Sequence, residues 1–270
     1  MSIRMLKQNV FLVKQLVLKD LRSRYAGSTF GILWAFATPL LQLLLFTFVF
    51  STVLRIPLTG ERGVDSFPLF LFAGLLPWIA IQESLMRSTT GVQDNAPIIQ
   101  KASIPPVILV VTVIFSAILH EIFALIAFLA ILTILGKATL AWCLLPLVLA
   151  VQIVMTFGGG LILFCVQVFF RDTVQIVNYV LMAWFYFTPI VYPLSLVQKG
   201  VDGHSIPPGV LTALRMNPMT GIVEAYRDVI LRGEISGIGT LSILTLGGIA
   251  LSWVAFHLYG RLRPHFADSI

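Results

Sequence analysis

Along this chain apolar residues gather into unbroken runs of about twenty, set apart by short polar or Gly/Pro punctuation, instead of alternating with polar ones. A hydrocarbon layer about 30 Å thick is crossed by roughly 20 residues at helical rise, so these runs predict spanning helices. Barrel strands would be about half as long and would alternate. The runs cover 30–54, 67–86, 106–135, 140–170, 174–191 and 237–259. The predicted fold is an all-α integral membrane protein with six transmembrane helices.

Ahead of the first run, Leu6, Val10, Val13, Val17 and Leu21 recur at spacings of four and three, while Lys7, Lys14, Gln15 and Arg22 collect on the other side. That pattern describes a basic amphipathic helix on the membrane surface, serving either as a topogenic anchor or as a docking element for a partner. The division is then an interface segment over 1–29 and a membrane domain over 30–270. Apolar and basic residues alternate at the start with no uninterrupted apolar h-region, so the amino terminus is expected to stay cytoplasmic and uncleaved.

Punctuation refines the picture. Gly27, Ser28 and Gly31 lead into the first run and Pro39 can kink it. Arg55, Glu61, Arg62 and Asp65 mark a short loop, and Glu83 with Arg87 makes an i,i+4 acid-first pair. The polar stretch 89–106 holds Gln93, Asp94, Asn95, Gln100 and Lys101 and reads as a cytoplasmic loop with room for one short helix. Gly136-Lys137 reads as a tight turn, and Gly158-Gly159-Gly160 permits close helix approach. From 193 to 236 the chain is mixed, with Pro207-Pro208, Asn217-Pro218 and an amphipathic piece over 222–231 too short to cross. Half-membrane or re-entrant external helices fit that stretch if protein or water shields their backbone.

Composition supports the membrane reading. Of 270 residues 58% are hydrophobic and 11% charged, too few charges to clothe a water-soluble domain of this size. The net charge of +6 is accounted for by basic cytoplasmic segments, not by nucleic acid. With both termini inside, the short loops follow the positive-inside rule, and the four basic residues of the long external loop dilute it. Cys143 and Cys165, about 33 Å apart on one straight helix, cannot pair with each other and read as small buried residues.

A transporter needs an energy source, and none is written here. No G-x-x-x-x-G-K-[ST] is present, since Gly136-Lys137 is followed by Ala138 and lacks the upstream glycine. No cofactor is expected on this chain. An ion-coupled carrier would carry mid-span acids and repeated halves; no repeat is visible, and the one intramembrane pair is His120-Glu121. That pair lacks the second His of H-E-x-x-H, so no metal site is expected, and it is either a polar contact within the bundle or part of a transport path. The spans hold neither paired aspartates nor Ser-Lys or Ser-His sets, which argues against an intramembrane hydrolase.

Four motifs then occur in order. Lys19-Asp20-Leu21-Arg22-Ser23-Arg24-Tyr25-Ala26-Gly27-Ser28-Thr29-Phe30-Gly31-Ile32-Leu33-Trp34 with Pro39-Leu40 comes first. Phe170-Arg171-Asp172, Thr188-Pro189-Ile190-Val191-Tyr192-Pro193, and Asn217-Pro218 leading to Tyr226-Arg227-Asp228 and Gly233 follow. Together they resemble the ABC-2 type permeases that export polysaccharides, with Lys19 where Arg is commoner and Phe30 where Leu is usual.

The resemblance implies a multi-pass homodimer in the bacterial inner membrane, surrounded by membrane lipid and bound to two ATPase subunits that carry the ATP and Mg. It further implies export of a lipid-linked polysaccharide such as O-antigen, capsule or teichoic-acid-like polymer; a small lipid or drug is the alternative cargo. Under this reading Asp94, Asn95, Gln100 and Lys101 couple to the ATPase, and Lys19, Arg22, Arg24 and Tyr25 meet a lipid diphosphate at the cytoplasmic entrance. Trp34, Phe36, Trp184 and Tyr186 are the channel aromatics, able to stack on sugars or to serve as ordinary interface anchors. Glu224, Tyr226 and Arg227 form an external lid, in which Glu224 and Arg227 pair at i,i+3.

Overall fold

The computed structural model describes residues 3–53, 66–94, 105–199 and 207–266, and every described element is helical or a turn. Helix α1 covers Ile3–Arg24. A 3-10 turn at Gly31–Leu33 leads into α2, Trp34–Phe46, which continues as a π-helical stretch Thr47–Val53. Then come α3 (Phe67–Asp94), α4 (Val107–Ile134), and α5 (Leu145–Phe169) preceded by the 3-10 turn Leu140–Leu144. Helices α6 (Thr173–Phe187), α7 (Leu194–Lys199), α8 (Pro208–Met216) and α9 (Pro218–Arg227) follow. A π turn Asp228–Arg232 ends α9, and α10 (Ile238–Leu262) closes the chain with a 3-10 turn Arg263–His265.

Among the described residues, five segments are long and apolar enough to cross a membrane: Gly31–Val53, Phe67–Gly91, Val107–Ile134, Leu140–Phe169 and Ile238–His265. The remaining predicted span is shorter than its apolar run suggested, because α6 stops at Phe187 and 188–190 form a turn. Pro189 is the cause, since the residue before a proline is pushed out of the α region, and Thr188 sits at ψ 133°. At the other extreme α3 runs eight residues past the expected end at Met86 to Asp94, so the first part of the presumed loop is helix.

The Gly136-Lys137 turn forms as read. Gly136 adopts φ 71°, Lys137 N–H donates to Leu132 O at 2.8 Å and Gly136 N–H to Thr133 O at 3.0 Å, the pair of bonds that caps a helix through a left-handed glycine. Helix α3 lies at the centre, against α4, α5, α6 and α9, and its aromatic side chains Phe70, Phe72 and Trp78 are buried. The outermost spans are α2 and α10, where Leu33, Leu44, Phe48, Ile243, Leu246 and Trp253 all stay exposed. Helices α5 and α10 touch closely through small residues: a Cβ on Gly158 would stand 2.8 Å from Ser252 N. Cys165 is buried in this layer, whereas Cys143, expected to be buried too, is exposed; it lies in the 3-10 turn that opens the fourth span, outside the packed part of the helix.

The mixed stretch before the last span folds back on itself. Pro218 and Met219, at the start of α9, line one pocket with Met155, Gly159 and Leu251, which lie near the midpoints of α5 and α10. At its far end the chain returns to the level of the turn before α5, where Trp142 Nε1 donates to Ile230 O and Gly233 faces Thr139. Asn217-Pro218 is therefore the tip of a hairpin that reaches half-way through the bundle and leaves by the side it entered.

Candidate functional site

Two polar clusters stand out in this apolar bundle, one at each end of α3. The first gathers around the carboxyl-terminal half of α1. Its apolar positions Val17 and Leu21 are buried, while Val10 remains exposed, so the turns at Val17 and Leu21 dock and the turn at Val10 does not. On the same docked side Asp20 accepts from Arg87 Nη2 at 2.5 Å and from Arg24 Nε at 3.2 Å, and also bonds Ser116. Glu83 pairs with Arg24 and, at 3.1 Å, with Arg87. The Glu83–Arg87 pair read from spacing is thus real but is half of a four-charge clasp joining α1 to α3.

Burial of Asp20 taken alone would raise its pKa, but hydrogen bonds from Arg87 and Ser116 and the positive charges of Arg87 and Arg24 hold the carboxyl below its ordinary value. Beside it, Tyr25 Oη and His120 Nδ1 share a hydrogen bond of 3.0 Å. Of the four residues assigned to a diphosphate entrance, Lys19 and Arg22 are exposed, while Arg24 and Tyr25 are already engaged with α3 and α4. A small cavity of about 120 Å³ opens next to this cluster between α2, α3 and α4, lined by Gln42, Glu83, His120 and Glu121 among apolar neighbours. It holds a few waters and not a sugar chain.

The second cluster belongs to the hairpin. Asn217 caps α9, its Oδ1 accepting from Met219 N–H at 3.0 Å and from Trp184 Nε1 at 2.9 Å, while its Nδ2 donates to Thr188 Oγ1 at 3.0 Å. Arg227 is completely buried and spreads over three carbonyls: Nη1 to Pro189 O at 2.7 Å, Nη2 to Ile190 O at 2.8 Å and Nε to Phe70 O at 3.3 Å. Its Nη1 also meets Glu224 Oε1 at 2.8 Å, as the i,i+3 spacing predicted, and Glu224 in turn holds Arg232 at 3.0 Å. Arg227 was expected to pair with Glu224, partly buried, in an external lid. It is a buried bolt joining α9 to α3 and to the turn after α6.

Tyr226 points the other way, to Glu121 of α4 and Gln152 of α5. His120 and Glu121 therefore serve different neighbours, the first α1 and the second the hairpin. Gln152 was missed because an uncharged amide draws no notice in a sequence, although any polar residue within an apolar run is a signal.

The remaining assigned residues scatter. Trp34 and Tyr186 are exposed; Phe36 is half-buried against Phe123 with ring centres 5.3 Å apart; Trp184 packs edge-on to Trp78 at 5.8 Å. Asp94 is exposed at the last turn of α3, and Asn95, Gln100 and Lys101 lie outside the described residues. Among the described residues no cluster of metal-ligating side chains forms.

Comparison with known proteins places this architecture. The profile of the ABC-2 type transporter family matches residues 12–231, from the docked part of α1 through the end of the hairpin. The chain belongs to that family. Among the relatives of this ABC-2 chain, the O-antigen export system permease protein RfbA of Myxococcus xanthus is 30% identical over 99% of this chain and 98% of its own length. RfbA of Klebsiella pneumoniae is 29% identical over 93% and 91%, and the polysialic acid transport protein KpsM of Escherichia coli 24% over 92% of each.

Proposed function

We propose that this chain is the membrane-spanning permease subunit of an ATP-driven exporter that moves a lipid-linked polysaccharide across the bacterial inner membrane. The observation that carries the reading is the end-to-end similarity to an O-antigen export permease, 30% identical over 99% of the chain. The permease works as a homodimer with two ATPase subunits, and ATP and Mg are bound by those partners. Both termini lie in the cytoplasm. Polymer enters past Lys19 and Arg22 and leaves beside the re-entrant hairpin.

The geometry supports a division of labour along α3. A helix that carries the clasp to α1 at one end and the Arg227 bolt at the other is suited to pass a push on α1 to the hairpin. The segment following Asp94 is the contact with the ATPase. Trp34, Phe36, Trp184 and Tyr186 offer faces for sugar rings, with Trp34 and Tyr186 the more accessible.

Deleting the gene tests the proposal: lipid-linked polymer should accumulate inside the cell as surface polymer disappears, and the tagged permease should bring down an ATPase from native membranes. Loss of surface polymer without internal accumulation would place the defect in synthesis. Transport by the purified chain alone down a proton gradient would make it an ion-coupled carrier.

A further inference from the structure

Glu121, Tyr226 and Gln152 meet pairwise in the centre of the bundle. Tyr226 Oη lies 2.7 Å from Glu121 Oε1 and 2.6 Å from Gln152 Oε1, and Gln152 Nε2 lies 2.7 Å from Glu121 Oε2. Gln152 and Tyr226 are fully buried and Glu121 is 3% exposed. Three polar contacts at these distances are three hydrogen bonds and need three protons.

The tyrosine hydroxyl carries one. The glutamine brings one more, because its nitrogen takes part in a single one of the contacts. Turning the amide over moves that nitrogen to Tyr226 and puts its oxygen against Glu121, and the count is the same. The third proton has one place left to sit. With an ionised carboxylate, two oxygen atoms would face each other at hydrogen-bond distance with nothing between them.

We propose that Glu121 is a protonated carboxylic acid in this conformation, and that its closed ring with Tyr226 and Gln152 is the latch that seats the hairpin on α4 and α5. In the ring Glu121 Oε1–H donates to Tyr226 Oη, Tyr226 donates to Gln152 Oε1, and Gln152 Nε2–H donates to Glu121 Oε2. Each of the three protons in the ring has one acceptor.

The charges on neighbouring elements are engaged elsewhere. His120 bonds Tyr25, Arg24 and Arg87 hold Glu83 and Asp20, and Arg227 directs its guanidinium at Phe70, Pro189, Ile190 and Glu224. A neutral acid needs no counter-ion at such a site, whereas a lone carboxylate there is costly.

The two sides of α9 are thus held by different chemistry. Toward α3 and the turn after α6 a buried cation is bound by three carbonyls, with Glu224 of its own helix as a fourth acceptor, and toward α4 and α5 the two neutral hydrogen bonds of Tyr226 can part without separating charge. The hairpin and α3 move as one body, and the seam that opens lies at Glu121. This inference rests on proton counting and stands apart from the choice of cargo.

Infrared spectroscopy of the full chain in lipid vesicles tests the proton, and labelling of Thr220→Cys on α9, in a chain carrying Cys143→Ser and Cys165→Ala, tests the latch. Wild type should show a protonated-carboxyl stretch that shifts in heavy water and is absent in Glu121→Gln. Glutamine can occupy the place of the acid, donating to Tyr226 and accepting from Gln152, so Glu121→Gln should label within about twofold of wild type. Glu121→Ala and Tyr226→Phe, which open the ring, should label about tenfold faster. Absence of that stretch in wild type, or labelling of Glu121→Gln as fast as Glu121→Ala, overturns the proposal. Tyr226→Phe keeps the test open if Glu121→Ala does not fold: unchanged labelling in Tyr226→Phe overturns the latch.

Discussion

Arg227 stacks on Phe70, with its guanidinium carbon 3.5 Å from the ring centre, while its nitrogens reach the carbonyls of Phe70, Pro189 and Ile190. Cation, ring and carbonyls belong to three elements, α9, α3 and the turn after α6, so one side chain sets their relative positions. Planar geometry matters here: a guanidinium can serve a fork of acceptors and lie flat on a ring together, which an ammonium does less well.

Arg227→Ala should therefore destabilise the folded chain by about 3–5 kcal/mol, the usual cost of removing one member of a buried charged cluster. Reversing the pair as Glu224→Arg with Arg227→Glu should not recover stability, because glutamate cannot donate to three carbonyls. Thermal unfolding in detergent, followed by tryptophan fluorescence, measures both. Recovery in the double variant would reduce Arg227 to a simple ion-pair partner.

The clasp at the other end of α3 makes a prediction about acidity. The pKa of Asp20 is held below its ordinary 3.8, so its contribution to docking α1 is complete above that value and is lost as pH falls through the lower folded one. Cross-linking between α1 and α4 should be flat across about pH 5–8 and fall only in stronger acid. Asp20→Asn should remove that acid limb. The clasp is partly open to solvent, its side chains 21–32% exposed, and each pair is worth no more than about 1 kcal/mol. A fall in cross-linking centred near neutral pH would show that a group other than Asp20 controls the docking.

Small residues predict a contrast between two glycines of the α5–α10 pair. A Cβ on Gly158 would come within 2.8 Å of the backbone nitrogen of Ser252 and 3.0 Å of Leu251 C, atoms that cannot swing aside, whereas Gly247 has nothing within 4 Å. Gly158→Ala should force α5 from α10 and lower the thermal midpoint, at a cost of about 1–3 kcal/mol as overpacking usually imposes. Gly247→Ala should leave the midpoint unchanged or slightly higher, given alanine's helix propensity. Equal midpoints for the two variants would mean that this contact is softer than the backbone distances imply.

What could be read in advance follows from range. Hydrophobic run length located the spans, and i,i+3 or i,i+4 spacing found Glu83–Arg87 and Glu224–Arg227, since both signals are complete within one helix. Asp20 carried the same i,i+4 signal toward Arg24, but its bond to Arg87 lies 67 residues away, and Ser116 and Gln152 gave no local signal at all: their partners lie 96 and 31 residues away, and only the packing of α1, α4 and α5 brings them together. The early end of α6 was foreshadowed by Pro189, but run length was weighed above it. His120 and Glu121 show the limit well. Adjacent residues on a helix point about 100° apart, so a pair read as one polar contact serves two separate neighbours.

Basic residues near the carboxyl-terminal end of α1 now separate by structure, and that separation yields a test of the diphosphate entrance. Lys19 and Arg22 are exposed, so replacing either removes no packed contact; Arg24 is shared between Glu83 and Asp20. If Lys19 and Arg22 meet a lipid diphosphate, Lys19→Ala with Arg22→Ala should leave the thermal midpoint and the α1 cross-link at wild-type values while lowering surface polymer several-fold. Arg22→Lys should recover part of it, because an ammonium still attracts phosphate but loses the two-pronged fit. Arg24→Ala should instead loosen α1, and its export defect should track the loss of the cross-link. Weakened binding should also be relieved by raising the supply of lipid-linked polymer in the Lys19 and Arg22 variant, and not in Arg24→Ala, whose fault is mechanical. Full export by the Lys19→Ala, Arg22→Ala chain would remove these two residues from the entrance and leave their charge to topology and to the anionic membrane surface.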